Sequence, residues 1–242
     1  MQSGFFFTFF YQPLYNGLVF LMDVIPWVDI GVAVVIFTIL VKLILFPLSR
    51  KAVRTQFLIK KYDADLKKIK ENHKDRQEQA VKTLEFYREK KINPFSSIVL
   101  LFIQLPIIFA LYKVFASSGL PVINTEILYN FVATPTQVNV FFLGLIDIAM
   151  KSAPLAFLAA ITSYFQIKYA LPPKNNTPSG SQFKDDFAKS MRIQMLFIFP
   201  IVVFFISYNI SGALALYWIT SNLFAIGQEV YVRRRLERTY SA

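Results

Sequence analysis

Lys42 makes the sharpest chemical demand in this sequence. It stands in Ile39-Leu-Val-Lys-Leu-Ile-Leu-Phe-Pro-Leu48, with apolar runs on either side. A lysine near mid-bilayer costs ~2.5–3.5 kcal/mol on insertion scales, so it needs a wet cavity, a partner or a route to the headgroups. Lys42 lies five residues before Pro47, which is ~7.5 Å along a helix. Its stem can therefore snorkel to the cytoplasmic surface. Thr38 lies one turn away on the same face, which favours a polar groove instead. Both readings stay open from the residues alone. Gln104, Thr162, Ser163, Gln166, Gln194, Thr220, Ser221, Asn222 and Gln228 are further polar residues in apolar surroundings. Taken singly, each reads best as a helix–helix hydrogen bond, worth about 0.6 kcal/mol on average.

Other chemistries are poorly supplied. The chain has no cysteine and one histidine, His73, so thiolate sites and histidine clusters are excluded. No acidic residue falls in the interior of the apolar spans, and no GxxxxGK[ST] phosphate loop occurs. We expect no enzyme activity, no metal and no cofactor.

The elements that carry these residues are apolar. Of 242 residues 55% are hydrophobic and 17% charged, yet the net charge is +11. Soluble domains carry ~25% charged residues, and this balance points to a membrane protein with basic cytoplasmic segments. A crossing helix needs ~20 apolar residues. Spans are expected at about 28–48, 92–112 and 152–169. Two more are expected within the charge-free stretch 193–228, divided by a turn at Asn209, Ser211 and Gly212. Asn93-Pro94 is expected to cap and start the second span. The segment 127–146 is uncharged but carries Asn130, Pro135, Gln137, Asn139 and Gly144. The region from Arg50 to Lys91 holds 14 Lys/Arg, Lys168–Arg192 holds five, and Arg233, Arg234, Arg235 and Arg238 close the chain. Five spans put all three on one side, which places 118–151 outside, the N-terminus outside and the C-terminus in the cytoplasm. No basic n-region opens the chain, so no signal peptide is expected.

Residues 1–27 are expected as an interfacial amphipathic helix on the outer surface, because Pro13, Asn16 and Gly17 suit a lone lipid-facing span badly. The first span then occupies 28–49. Residues 50–92 are expected as a cytoplasmic helical hairpin. Leu58, Tyr62, Leu66 and Ile69 recur at helical spacing on one arm, and Ala80, Leu84 and Tyr87 on the other. Asp75 and Glu78 form a capping box, and His73 at the tip reads as merely exposed. The segment 93–242 holds the remaining four spans and a short basic tail. The fold class is therefore an all-α membrane protein of five transmembrane helices.

Four stretches carry a resemblance. The Lys42–Pro47 motif, Ile92-Asn-Pro-Phe95 with Ile103-Gln-Leu-Pro-Ile-Ile-Phe-Ala-Leu-Tyr112, Phe141-Leu-Gly-Leu-Ile-Asp147, and Ser211-Gly-Ala-Leu-Ala-Leu-Tyr-Trp-Ile-Thr-Ser-Asn222 resemble the core of the YidC/Oxa/Alb membrane protein insertases, in order and spacing, from about Pro13 to Arg235. The resemblance implies a five-helix bundle with a hydrophilic groove, open to the cytoplasm and to lipid but closed to the outside. It implies that Lys42, Gln166 and Trp218 line the groove with Thr38 nearby. We expect Gln104, the polar residue of the second span, on the same lining. Leu105, Pro106, Ile108 and Tyr217 would form the slide along which a substrate helix leaves.

Implied partners are nascent membrane proteins and the lipid bilayer of a bacterial plasma membrane, with the ribosome and the Sec translocon as further candidates and no small-molecule substrate. The sequence departs from the family at Lys42, where arginine is usual, and at Leu100 and Ile210, where proline is frequent. The short tail leaves the ribosome contact open. A small secondary transporter is the alternative. It predicts internal repeats around a midplane site, and no repeat is evident.

Overall fold

A computed structural model describes residues 4–25, 27–73, 75–116, 120, 122–135, 137–171 and 189–241. Lys74 of the first basic region, and Lys174 and Lys184 of the second, lie outside the described residues. The chain forms eight helices among the described residues: α1 (Gln12–Val24), entered through a π-helical turn at Phe7–Tyr11, α2 (Ile30–Lys61), α3 (Asp63–Asn72), α4 (Arg76–Glu89), α5 (Ser96–Ala116), α6 (Ala153–Ala170), α7 (Lys189–Ile210) and α8 (Gly212–Ser241). Between α5 and α6 lie a 3-10 turn at Thr125–Ile127 and a two-stranded antiparallel hairpin, β1 (Phe141–Phe142) with β2 (Ile146–Asp147). By length and composition α2 and α7 suffice to cross a membrane, and Phe102–Phe115 within α5 is a shorter apolar stretch.

Two compact units divide the chain, residues 1–43 with 105–226, and 44–104 with 227–242. The larger unit holds a core of Leu14, Tyr15, Leu18, Val34, Leu111, Ile148 and Leu214. Outside that core its helices are exposed and apolar. Phe109 on α5, Phe157 on α6, Phe205 on α7 and Leu223 on α8 are all exposed. Contiguous apolar surface of this extent belongs against lipid or another protein, not water.

The helix ends correct several sequence expectations. The first span was expected to stop near residue 49, with the hairpin arm starting at 50. Instead α2 runs unbroken for 32 residues. That is ~48 Å of helix against a ~30 Å hydrocarbon core. Pro47 lies inside it, where proline removes a hydrogen bond. The Ser49 hydroxyl serves nearby carbonyls, donating to Leu45 O and Phe46 O at 3.1 Å each. The α5 helix begins at Ser96 rather than at Pro94. Asn93 caps the preceding turn through its Oδ1, which accepts the Phe95 N–H at 3.0 Å. The break between α7 and α8 falls at Ser211, whose backbone is extended, within the expected turn. Among the described residues of 128–146 no helix forms, and the hairpin there is a small addition to the all-α expectation.

The smaller unit shows a different seam from the expected one. Leu58 and Leu66 are buried, but Leu84 is exposed, and Phe86 instead meets Tyr62 edge-on at 5.6 Å. Asp75 caps α4 by accepting the Glu78 N–H at 3.2 Å. The Glu78 carboxylate pairs with His73 Nδ1 at 2.9 Å, so His73 is a partly buried turn element rather than a merely exposed one. Where α2 meets the end of α8, Lys61 Nζ lies 4.4 Å from the Tyr240 ring, and Gln228 Nε2 donates to Ser49 Oγ.

Candidate functional site

The larger unit is sealed at one end by the 139–150 segment. A helix begins with N–H groups that have no partner within it. The N–H of Ile30, at the start of α2, donates to Asn139 O at 2.9 Å, and Asp29 Oδ1 accepts the Val32 N–H at 2.8 Å. At the start of α8, Gly212 N donates to Met150 O at 2.8 Å and Ala213 N to Ile148 O at 3.0 Å. The residues flanking the hairpin thus take up the free amides of two helices at once. Side chains close the same end. The Phe142 ring lies directly over Gly31, and the Ile148 backbone comes so near Gly212 that a Cβ there would stand 3.0 Å away.

The 122–131 loop is tied down as firmly. Asn16 Nδ2 donates to Ile127 O at 2.9 Å, and Asn16 Oδ1 accepts the Tyr129 N–H at 2.6 Å. Tyr15 Oη accepts the Asn124 N–H at 2.8 Å. Asn16, read in the sequence as a poor membrane residue, is buried as a clasp.

Inward from that end lies a narrow recess, with room for about one water molecule, lined by Leu14 and Leu18 of α1, Val34, Phe37, Thr38 and Val41 of α2, Ile107 and Leu111 of α5, and Tyr217 of α8. Its walls are apolar except for Thr38 and the Tyr217 hydroxyl. The Thr38 hydroxyl donates to Val34 O at 2.6 Å, inside its own helix. Lys42 follows Val41 directly, one turn beyond Thr38 on the same face, and is half-buried.

The other expected site residues are placed as follows. Trp218 is buried in the core cluster next to Tyr217. Gln166 is half-buried on α6, and Leu105 is exposed while Pro106 and Ile108 are half-buried on α5. Gln104 is half-buried and belongs to the smaller unit. Several other polar residues of the apolar helices are helix staples. Asn222 Nδ2 of α8 donates to Ser163 Oγ at 2.9 Å and Thr162 Oγ1 at 3.2 Å on α6. Sequence reasoning missed Asp29. A carboxylate just before an apolar run is a cap signal, and it was available to be read.

The model of the 60Kd inner membrane protein family matches residues 20–239. The membrane protein insertase YidC of Fusobacterium nucleatum is 31% identical over 231 residues, covering 94% of this chain and 98% of the relative. That of Clostridium tetani is 32% identical over 219 residues, covering 90% and 87%. A longer YidC from Pelobacter propionicus is 28% identical over 205 residues, and the match covers only 35% of it. A crystal structure of an active YidC insertase, with its first transmembrane domain resolved, shares the fold with a TM-score of 0.54, over 91% of this chain and 46% of that one, at 24% identity. The chain belongs to the 60Kd inner membrane protein family, the family of the YidC membrane protein insertases, which are not enzymes.

Proposed function

We propose that this chain inserts nascent membrane proteins through a groove in its larger unit, open to the cytoplasm and to lipid and closed outside. Its five spans are α2, α5, α6, α7 and the first part of α8, with the N-terminus outside and the C-terminus in the cytoplasm. Lys42, Thr38, Gln166 and Trp218 are the proposed lining, and Leu105, Pro106, Ile108 and Tyr217 the slide. The observation that carries this reading is the contrast along α2. Its start is sealed by the 139–150 hairpin. The recess opens one turn further in, at Val34, and reaches Val41, next to Lys42.

The physics fits such a path. A polar tail crossing hydrocarbon pays a desolvation penalty that grows with the dry distance. A groove shortens that distance, and a lysine offsets an acidic tail. Partition of the apolar substrate segment into lipid then supplies the driving force. The basic helices α3 and α4 carry Lys67, Lys68, Lys82 and Arg88 beside a narrow apolar seam, which suits early capture near anionic headgroups.

The experiment is photocrosslinking to a stalled nascent membrane protein from probes at Thr38, Gln166 and Tyr217, with Phe157 and Phe205 as outward-facing controls. Adducts concentrated at the first three are the expected result. Adducts at the controls alone would remove the groove. Reporter fusions after Lys91, Thr136, Asn176 and Ser241 test the topology, and an outside signal after Asn176 contradicts it.

A further inference from the structure

Leu145, at 82% exposure, and Trp27, at 79%, are the most exposed large apolar side chains among the described residues, ahead of any on the helices. Leu143 and Phe141 of the same hairpin are exposed too. A turn in water ordinarily takes Gly, Asn, Asp or Ser, whereas this one reads Leu143-Gly144-Leu145. The turn is not loose. Asp29 Oδ2 accepts the Leu143 N–H at 3.0 Å. Leu143 sits at φ 51, a conformation leucine rarely adopts. The Phe142 ring is seated on Gly31, so strand alternation turns Phe141 outward. Asp29 stands two residues after Trp27, and its carboxylate therefore holds the turn and Trp27 at the same corner, where α2 begins.

We propose that Trp27, Leu143 and Leu145 form a rigid wedge that inserts into the interfacial zone of the lipid bilayer and fixes the depth of α2. Lipid is the occupant for three reasons. The corner is continuous with α2, which leaves Leu40, Leu43 and Ile44 exposed. Tryptophan favours the headgroup level. Exposed Lys151, next to Met150 whose carbonyl receives the start of α8, supplies a cation for lipid phosphates. By setting the depth of α2, the wedge also sets the level of Thr38 and Lys42 across the membrane. The proposal rests on α2 as a span, but not on which side of the membrane the hairpin lies.

The test uses the full chain in phosphatidylcholine vesicles. The sequence holds two tryptophans and no cysteine, so Trp218→Phe leaves Trp27 as the only indole emitter. Lipids brominated near the headgroup should quench its emission most, those brominated near the chain ends less, and aqueous iodide little. Adding Leu143→Asp and Leu145→Asp should reverse that order. Strong iodide quenching with weak bromine quenching, or weak quenching by both, would overturn the proposal, the second because protein then covers the corner. A nitroxide on Leu145→Cys in the otherwise unchanged chain gives the same reading through oxygen and nickel-chelate access, should Trp218→Phe fail to fold. A nitroxide on Ile44→Cys separately reports whether α2 spans. Lipid access at Ile44 without access at Leu145 removes the wedge and leaves the span intact.

Discussion

The Asp29 carboxylate accepts two backbone N–H groups from different elements, that of Val32 in the first turn of α2 at 2.8 Å and that of Leu143 at the hairpin turn at 3.0 Å. One buried side chain therefore both starts a helix and holds the loop that seals it. Asp29→Ala leaves both amides without their acceptor. The expected loss is about 1–3 kcal/mol, read as a lower melting temperature in detergent and faster proteolysis within 139–150. Asp29→Asn keeps one acceptor oxygen and should fall between.

The helices were legible because hydrophobic runs and charge asymmetry act over many residues. Their ends were not, because an end depends on partners far away in sequence. The first span seemed to stop near Pro47. Yet Ser49 answers the nearby carbonyls, and Gln228, 179 residues on, answers Ser49. The seam of the hairpin was misread for a similar reason. Leu84 matched the helical period, but the edge-on fit of Phe86 against Tyr62 turns Leu84 outward. Lys42 and Thr38 stood out in the sequence as polar residues in an apolar run. The recess beside them did not, since Leu14 and Leu18 come from α1 and Tyr217 from α8.

Gly31 is required by shape. The Phe142 ring occupies the space a Cβ would fill, so Gly31→Ala must displace the Phe142 side chain. Overpacking of this kind costs about 1–3 kcal/mol. Gly31→Ala should lower the melting temperature, and Phe142→Leu combined with it should recover part of the loss. A loss unchanged in the double variant would show that the two do not share that space.

Asn222 joins α8 to α6 through Ser163 and Thr162. Hydrogen bonds between membrane helices average about 0.6 kcal/mol and reach about 1.7. A double-mutant cycle with Asn222→Leu and Ser163→Ala, measured by unfolding in mixed micelles, should give a coupling in that range. A coupling of zero would mean that the contact adds nothing to stability.

Lys42 follows the recess residue Val41 and shares a helix face with Thr38. Two roles make different demands on it. A snorkelling lysine positions its helix, so Lys42→Ala should be nearly silent for every substrate. A groove charge acts on the substrate itself, so the effect must depend on the charge of the tail. At an effective dielectric of ~20, a carboxylate ~4 Å from the ammonium gains ~4 kcal/mol before desolvation is counted. Even a third of that, about 1.4 kcal/mol, is a tenfold change. Acidic-tailed substrates should therefore insert about tenfold more slowly with Lys42→Ala, and more slowly still with Lys42→Glu, which repels the tail. Lys42→Arg keeps the charge and should insert them near the original rate. Neutral-tailed substrates should be almost indifferent to all three, since hydrophobic partition still drives them. Protease protection in reconstituted vesicles, with substrates differing only in the tail, measures each arm. Equal insertion of the acidic-tailed substrate by the original chain and by Lys42→Ala would assign Lys42 to the headgroups and leave the groove without its charge.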